Sequence, residues 1–151
     1  MRRSEQAITD PAALWAIIRN AEVCRVAMVD GDHPYALPFC FGVIDTTLYL
    51  HCANEGRKLD ILRVNPRVCV VFDTDNAVLP ALEPCRISYR YRSVLAFGRA
   101  SIVTNHEEKA AGLRAIVRQY TRVEGLMPEA IIARTTVLRI DIEEMTGKQS
   151  G

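Results

Sequence analysis

The stretch PYALPFCFGVIDTTLYLHC, residues 34–52, decides how this chain folds. Its first residues alternate strictly. Leu37, Phe39, Phe41 and Val43 fall on one side and Ala36, Pro38, Cys40 and Gly42 on the other, a period of two that belongs to an extended strand. Asp45-Thr46 then turns the chain into TLYLHC, residues 47–52, a second strand. The expectation is a hairpin with one bulky face and one nearly bare face. A bare face leaves room for a flat body to lie against the backbone, and Pro38 removes a ladder donor there. An edge strand packed beneath a helix would have the same composition.

Working outward from this hairpin, the same period recurs. CRVAMV, residues 24–29, is β-branched and ends at Asp30-Gly31, a hairpin-turn dipeptide. VCVVF, residues 68–72, reads as a further strand, and TTVLRIDI, residues 135–142, as the last, followed by a polar tail. Residues 86–103, RISYRYRSVLAFGRASIV, are long enough for one strand bent near Gly98 or for two. Residues 73–84 hold two prolines and no clear period, and are expected to be a connection.

Helices interrupt these strands singly. Asp10-Pro11 is an N-cap followed by proline at the first helical position, and Leu14, Ile17, Ile18 and Ala21 then recur at helical spacing. Asn105 and Glu108 have the spacing of a capping box ahead of Leu113, Ile116, Val117 and Tyr120. A shorter helix starts near Gly56 and stops at Asn65-Pro66, and another opens near Pro128. About six strands joined mostly by hairpins predict a mainly β fold, an antiparallel sheet or small barrel in one domain over residues 1–151.

The composition excludes several classes of function. A chain of 151 residues with 49% hydrophobic and 25% charged residues can bury one ordinary core. Its net charge of +1 gives no global footprint for nucleic acid or an anionic membrane. No apolar run approaches the roughly 18 residues that span a bilayer, and MRRSEQAITD turns polar where a signal peptide needs its apolar core, so a cytoplasmic protein is expected. The five cysteines form no C-x-x-C pair and sit mostly in apolar runs, which predicts buried reduced thiols. P-loop, G-x-S-x-G and G-x-G-x-x-G motifs are missing from the sequence.

Three features could carry chemistry. Gly56, Arg57 and Lys58 put two cations at the amino end of a helix, where the macrodipole disfavours them by a few tenths to ~1 kcal/mol each. Unpaired N–H groups, a glycine and two cations describe a phosphate site, although a solvated basic turn paired with Glu55 or Asp60 would look the same. His51 lies on the more polar face at a strand end, with no second ligand at metal spacing. Arg86, Arg90, Arg92 and Arg99, interleaved with Tyr89 and Tyr91, could stack bases, but the neutral whole-chain charge favours a solvated strand face.

Taken in order, PYALPFCFG, LYLHCANEGRKLDILRVNP, VCVVFD, YRSVLAFGRASIV, EEKAAGLRAI and RIDIEEMTGK resemble the flavin-binding split-barrel proteins related to pyridoxamine 5'-phosphate oxidase, most of all the nitroimidazole-resistance, or Nim-type, branch. The resemblance implies a homodimer of six-stranded split barrels with FMN at the subunit interface. It also implies Gly56, Arg57 and Lys58 at the flavin phosphate, with Lys58 foremost. The backbone of Leu37, Pro38, Phe39, Cys40 and Phe41 would border the ring, with His51, Cys52 and Ala53 near it and Ser93 and Val94 in the cleft. The implied activity is an FMN-dependent, nitroreductase-like oxidoreductase that passes electrons from a reduced nicotinamide or another donor to a small aromatic acceptor. His51 is its candidate proton donor or orienting group. Relatives also bind haem or the deazaflavin F420, and a non-catalytic storage or sensing protein is the alternative. The arginine-rich motifs of the longer pyridoxamine phosphate oxidase have no counterpart here, so its own reaction is not implied.

Overall fold

The computed structural model describes residues 4–123 and 125–151. Strand β1 (Ala7–Ile8) precedes helix α1 (Pro11–Asn20), whose N-cap Asp10 accepts the Ala12 and Ala13 N–H groups at 3.1 and 3.3 Å. Four strands follow: β2 (Cys24–Asp30), β3 (His33–Phe39), β4 (Phe41–Ile44) and β5 (Thr47–Cys52). After α2 (Arg57–Val64) come β6 (Arg67–Leu79) and β7 (Ser88–Ile102), then α3 (His106–Tyr120), α4 (Glu129–Arg134) and β8 (Thr136–Ser150). Asn105 caps α3 through the Glu108 N–H, as the capping-box spacing predicts.

All strand pairings are antiparallel, in the order β3-β2-β6-β7-β8-β5-β4, with β1 beside β8. The two ends of this order, β3 and β4, are consecutive in the chain and separated by Cys40 alone. The sheet must therefore curl until its first and last strands meet. It closes into a barrel at a seam of continuous chain rather than at a ladder.

Inward residues of the strands, among them Val26, Phe41, Leu50, Val70, Phe72 and Val94, form one core together with Leu14, Ile17 and Ile18 of α1 and Leu59, Ile61 and Leu62 of α2. Phe41 and Phe72 meet edge to face at 5.2 Å across it. A second cluster lies outside the barrel, where α3 and α4 cover β4, β5 and β8 through Tyr49, Leu113, Ile116, Ile132 and Val137.

The strand count is eight rather than six, and three local expectations need correction. Residues 34–44 form two strands, because regular pairing stops at Cys40, where the chain passes from one sheet edge to the other. Residues 73–79 belong to β6: Asp75, at φ 58°, and Asn76 are bulged out between Thr74 and Ala77, which hides the period without ending the ladder. The polar tail is the second half of β8, paired with β7 as far as Ser150, because only its inner side, with Gly147 against Leu14, needs to be apolar. β7 is one strand, and its ladder with β8 slips between Phe97 and Gly98, near the expected bend. All five cysteines are free, but only Cys24 is buried; Cys40 and Cys85 are exposed. No helix among the described residues is long and apolar enough to cross a membrane.

Candidate functional site

The seam brings together residues far apart in sequence. Phe41 pairs with Leu50 as the last rung of the β4–β5 ladder, so Cys40 and His51 each stand one residue beyond that rung. The chain leaving β3 through Cys40 and the chain leaving β5 through His51 thus both adjoin the Phe41–Leu50 rung.

On β3, Leu37 and Phe39 turn half-buried toward the core, while Ala36, Pro38 and Cys40 face outward and exposed. Phe41 points wholly inward and the residue is buried as a whole, backbone included. The bare face ends before Gly42. Its hydrogen occupies the space in which a Cβ would lie 2.4 Å from the Ala115 carbonyl carbon and the Ile116 nitrogen, so this glycine admits α3.

His51 is exposed on the outer side of β5 and has no hydrogen-bond or ion-pair partner among the described residues. By contrast, His33 lies against Asp32 and His106 against Glu129. Cys52, next along, is half-buried; burial pushes its thiol upward against a smaller downward pull from the nearby Lys58 ammonium.

Four residues beyond Cys52, Gly56 takes φ 125° and ψ 160°, a conformation essentially closed to side chains, and opens α2 without a side-chain cap. A Cβ placed there would meet only the Lys58 Nζ, at 3.6 Å. The two cations that follow differ. Arg57 is held, with Nε and Nη2 both 2.8 Å from Oδ2 of Asp30 and its guanidinium carbon 5.0 Å from the centre of the Tyr35 ring. Lys58 is half-buried and has no carboxylate partner among the described residues. Arg57 ties α2 to the β2–β3 hairpin; Lys58 remains available to an anion. The hollow of about 420 Å³ between that hairpin and α2 is lined by Arg57 and by no other member of the predicted set.

Ser93 and Val94 stand apart. β7 is three strands from β3 and two from β5, and Val94 is fully buried in the core. Ser93 faces outward between Asp73 and Lys148, and its hydroxyl donates to the Lys148 carbonyl at 3.4 Å. A row of outward contacts connects it to β3: Ser93 pairs with Asp73, Asp73 binds Arg25 at 2.6 Å, and Arg25 pairs with Pro38. Sequence reasoning missed Asp30 and Tyr35 as partners of Arg57, and Asp73 as partner of Arg25. Each pair spans more than 20 residues, and no local spacing signals it.

Arg86, Arg92 and Arg99 are paired with Glu83, Asp75 and Glu143 on an exposed surface, as a solvated strand face requires. No group of three or more His, Cys, Asp or Glu side chains suited to a metal stands among the described residues.

Comparisons with known proteins agree with this architecture. The family model of pyridoxamine 5'-phosphate oxidase matches residues 10–149. A candidate 5-nitroimidazole antibiotic resistance protein from Bacteroides thetaiotaomicron is 30% identical, with a TM-score of 0.85 over 95% of this chain and 86% of its own. The FAD and heme binding protein from Mycobacterium smegmatis superposes with a TM-score of 0.85 at 22% identity, over 96% of this chain and 73% of its own. The flavocytochrome Anf3 from Azotobacter vinelandii gives 0.83 at 22% identity, over 100% and 72%. No curated protein matches. With the split barrel, the seam and a family match across nearly its whole length, the chain belongs to the pyridoxamine 5'-phosphate oxidase family.

Proposed function

We propose that the protein binds a flavin, FMN in the first instance, along the seam, and acts as a nitroreductase-like oxidoreductase. The observation that carries this reading is Lys58: a half-buried residue whose ammonium has no carboxylate partner among the described residues, behind a glycine that leaves open space, at the uncapped amino end of α2. These groups fit a phosphate. The exposed backbone side of Ala36, Pro38 and Cys40 suits a flat ring beside them.

When bound, the flavin would supply the redox chemistry, taking electrons from a reduced nicotinamide and passing them to a small aromatic acceptor. The chain's own part is to hold the phosphate at Lys58, orient the ring against β3 and carry a proton at an imidazole nitrogen of His51. The family relatives whose names include flavin or heme support a cofactor-binding role.

The reading includes a homodimer. Val29, Leu95 and Phe97 are apolar, on the outer face of β2 and β7, and 47%, 39% and 40% exposed, which is the surface a second copy would cover. Within one chain Ser93 lies away from the seam, so a dimer through this face would let Ser93 of one copy reach the cleft of the other.

The visible spectrum of freshly purified protein tests the cofactor. Bands near about 375 and 450 nm are expected for a flavin and an intense band near about 400 nm for haem. A colourless protein that FMN neither binds nor stabilises overturns the reading. Anaerobic mixing of the FMN-loaded protein with NADH and then NADPH separates enzyme from storage protein, and a flavin that stays oxidised with both argues for storage or sensing.

A further inference from the structure

α3 crosses the outer face of β4 with alanine at positions 111 and 115, and these small side chains leave a hollow of about 530 Å³ between helix and strand. Val43, Ile44 and Ala115 give it an apolar floor; Arg19, Arg114 and Arg118 rim it. Neither the seam nor the apolar face of β2 and β7 includes any of these residues.

This rim gathers three of the arginines that have no ion pair among the described residues; Arg67, Arg90, Arg122 and Arg134 also have none, but none of these lines the hollow. Arg25, Arg57, Arg63, Arg86, Arg92, Arg99 and Arg139 all have a carboxylate within ion-pair distance. Arg19, Arg114 and Arg118 have none among the described residues, yet they gather at one hollow. Arg114 and Arg118 are one helical turn apart, where like charges repel. Arg114 is half-buried, and among the described residues none of its five N–H groups finds a protein acceptor. Arg19 is held in place, donating to the Asp45 carbonyl at 3.0 Å with its guanidinium 5.7 Å from the Trp15 ring centre. Gln119 fixes the wall between α1 and α3 by donating to the carbonyls of Arg19 and Ala21 at 2.8 and 3.3 Å.

A fixed wall, an apolar floor and three guanidinium groups with no carboxylate partner among the described residues are complementary to a molecule with an anionic head and an apolar body. The volume lies within the roughly 300–1,000 Å³ of small-molecule sites. Guanidinium forks match carboxylate and phosphate oxygens in geometry as well as charge. A net charge of +1 for the whole chain makes this a local device rather than part of a polyanion track.

We propose that this hollow binds a small organic anion, its carboxylate or phosphate held by Arg114 with Arg118 and Arg19 and its apolar body resting on Val43, Ile44 and Ala115. The test is an amide-resolved NMR titration of the full-length protein with phenyl phosphate, with benzoate and with uncharged benzyl alcohol. At least one of the two anions should move the amides of Val43, Ile44, Ala111 and Ala115 along a saturable curve, and benzyl alcohol should not. The tighter of the two identifies the head group. Arg114→Gln should weaken that binding by about tenfold or more, and Arg114→Lys by less. Should Arg114→Gln fail to fold, the exposed Arg118→Gln makes the same comparison with a smaller expected loss. Shifts that never saturate in the millimolar range, that centre on another surface, or that are unchanged in the glutamine variants overturn the proposal. No flavin enters the titration, so its failure leaves the reading of the seam standing.

Discussion

The hydroxyl of Tyr120, the last residue of α3, accepts the N–H of Phe41 at 3.1 Å, one residue past the point where the barrel closes. The same hydroxyl donates to the Glu22 carbonyl at 2.8 Å, just ahead of β2. One phenol thus joins the first residue of β4 to the entry of β2. The Phe41 N–H opens a short strand at the end of the sheet order, and Tyr120 gives it the acceptor it needs.

Tyr120→Phe should therefore destabilise the fold by about 1–3 kcal/mol, the cost of leaving a part-buried donor without its acceptor. Urea denaturation measures it. An unchanged midpoint would mean that water replaces the phenol and that the seam does not depend on this contact.

Gly42→Ala should do more harm than its one added methyl suggests. The Cβ would stand 2.4 Å from two backbone atoms of α3, and backbone at a packed helix yields less readily than a side-chain tip. Overpacking costs about 1–3 kcal/mol where neighbours can shift, and here the upper part of that range or beyond is expected. A melting temperature within a degree of the parent would show that α3 is free to ride outward.

Gly42 also marks how far the sequence could be read. The alternation of residues 34–43 foretold extended chain and a bare face, and both are present. It could not reveal that Cys40 is a seam, because a period of two continues unchanged while the chain passes from one sheet edge to the other. The same limit applies at Asp75 and Asn76, where two bulged residues break the pattern and leave the ladder whole. Helix caps were legible because a cap is local: Asp10 and Asn105 act within three residues of themselves. The candidate site was read from two segments, and that both adjoin the Phe41–Leu50 rung follows from strand order, which pattern alone does not determine. The engagement of Arg57 with Asp30 and Tyr35 had no signal at all in the sequence.

That engagement divides two cations that look alike in sequence. Lys58→Ala should weaken FMN binding by about 1.5–3 kcal/mol, the range for hydrogen bonds to charged groups. Riboflavin, which lacks the phosphate, should bind the parent and the variant alike. Arg57→Ala should act first on stability, since it releases α2 from the β2–β3 hairpin, with a smaller effect on FMN. Fluorescence titration with both ligands distinguishes the roles, and a larger FMN loss from Arg57→Ala than from Lys58→Ala would reverse them.

Alkaline pH should expose the burial of Cys24. Its side chain is fully enclosed, its sulfur lies 3.6 Å from the Phe39 carbonyl oxygen, and burial chiefly raises its thiol from 9.0 to about 12. The unfolded chain loses this proton near 9.0, whereas the folded chain keeps it until about 12. Between those values the unfolded state binds fewer protons, so stability falls as pH rises, by up to ~1.4 kcal/mol per pH unit for one such group. Below pH 9 the contribution is complete, and by about 12 it is spent. Tyr120, also raised to about 12 and chiefly by burial, titrates in the same window, so the comparison must isolate the thiol. Cys24→Ala lowers stability at every pH through the cavity it leaves, and should also flatten the decline in urea midpoint above pH 9. A variant curve that runs parallel to the parent from pH 9 to 11 would assign the alkaline sensitivity to other groups.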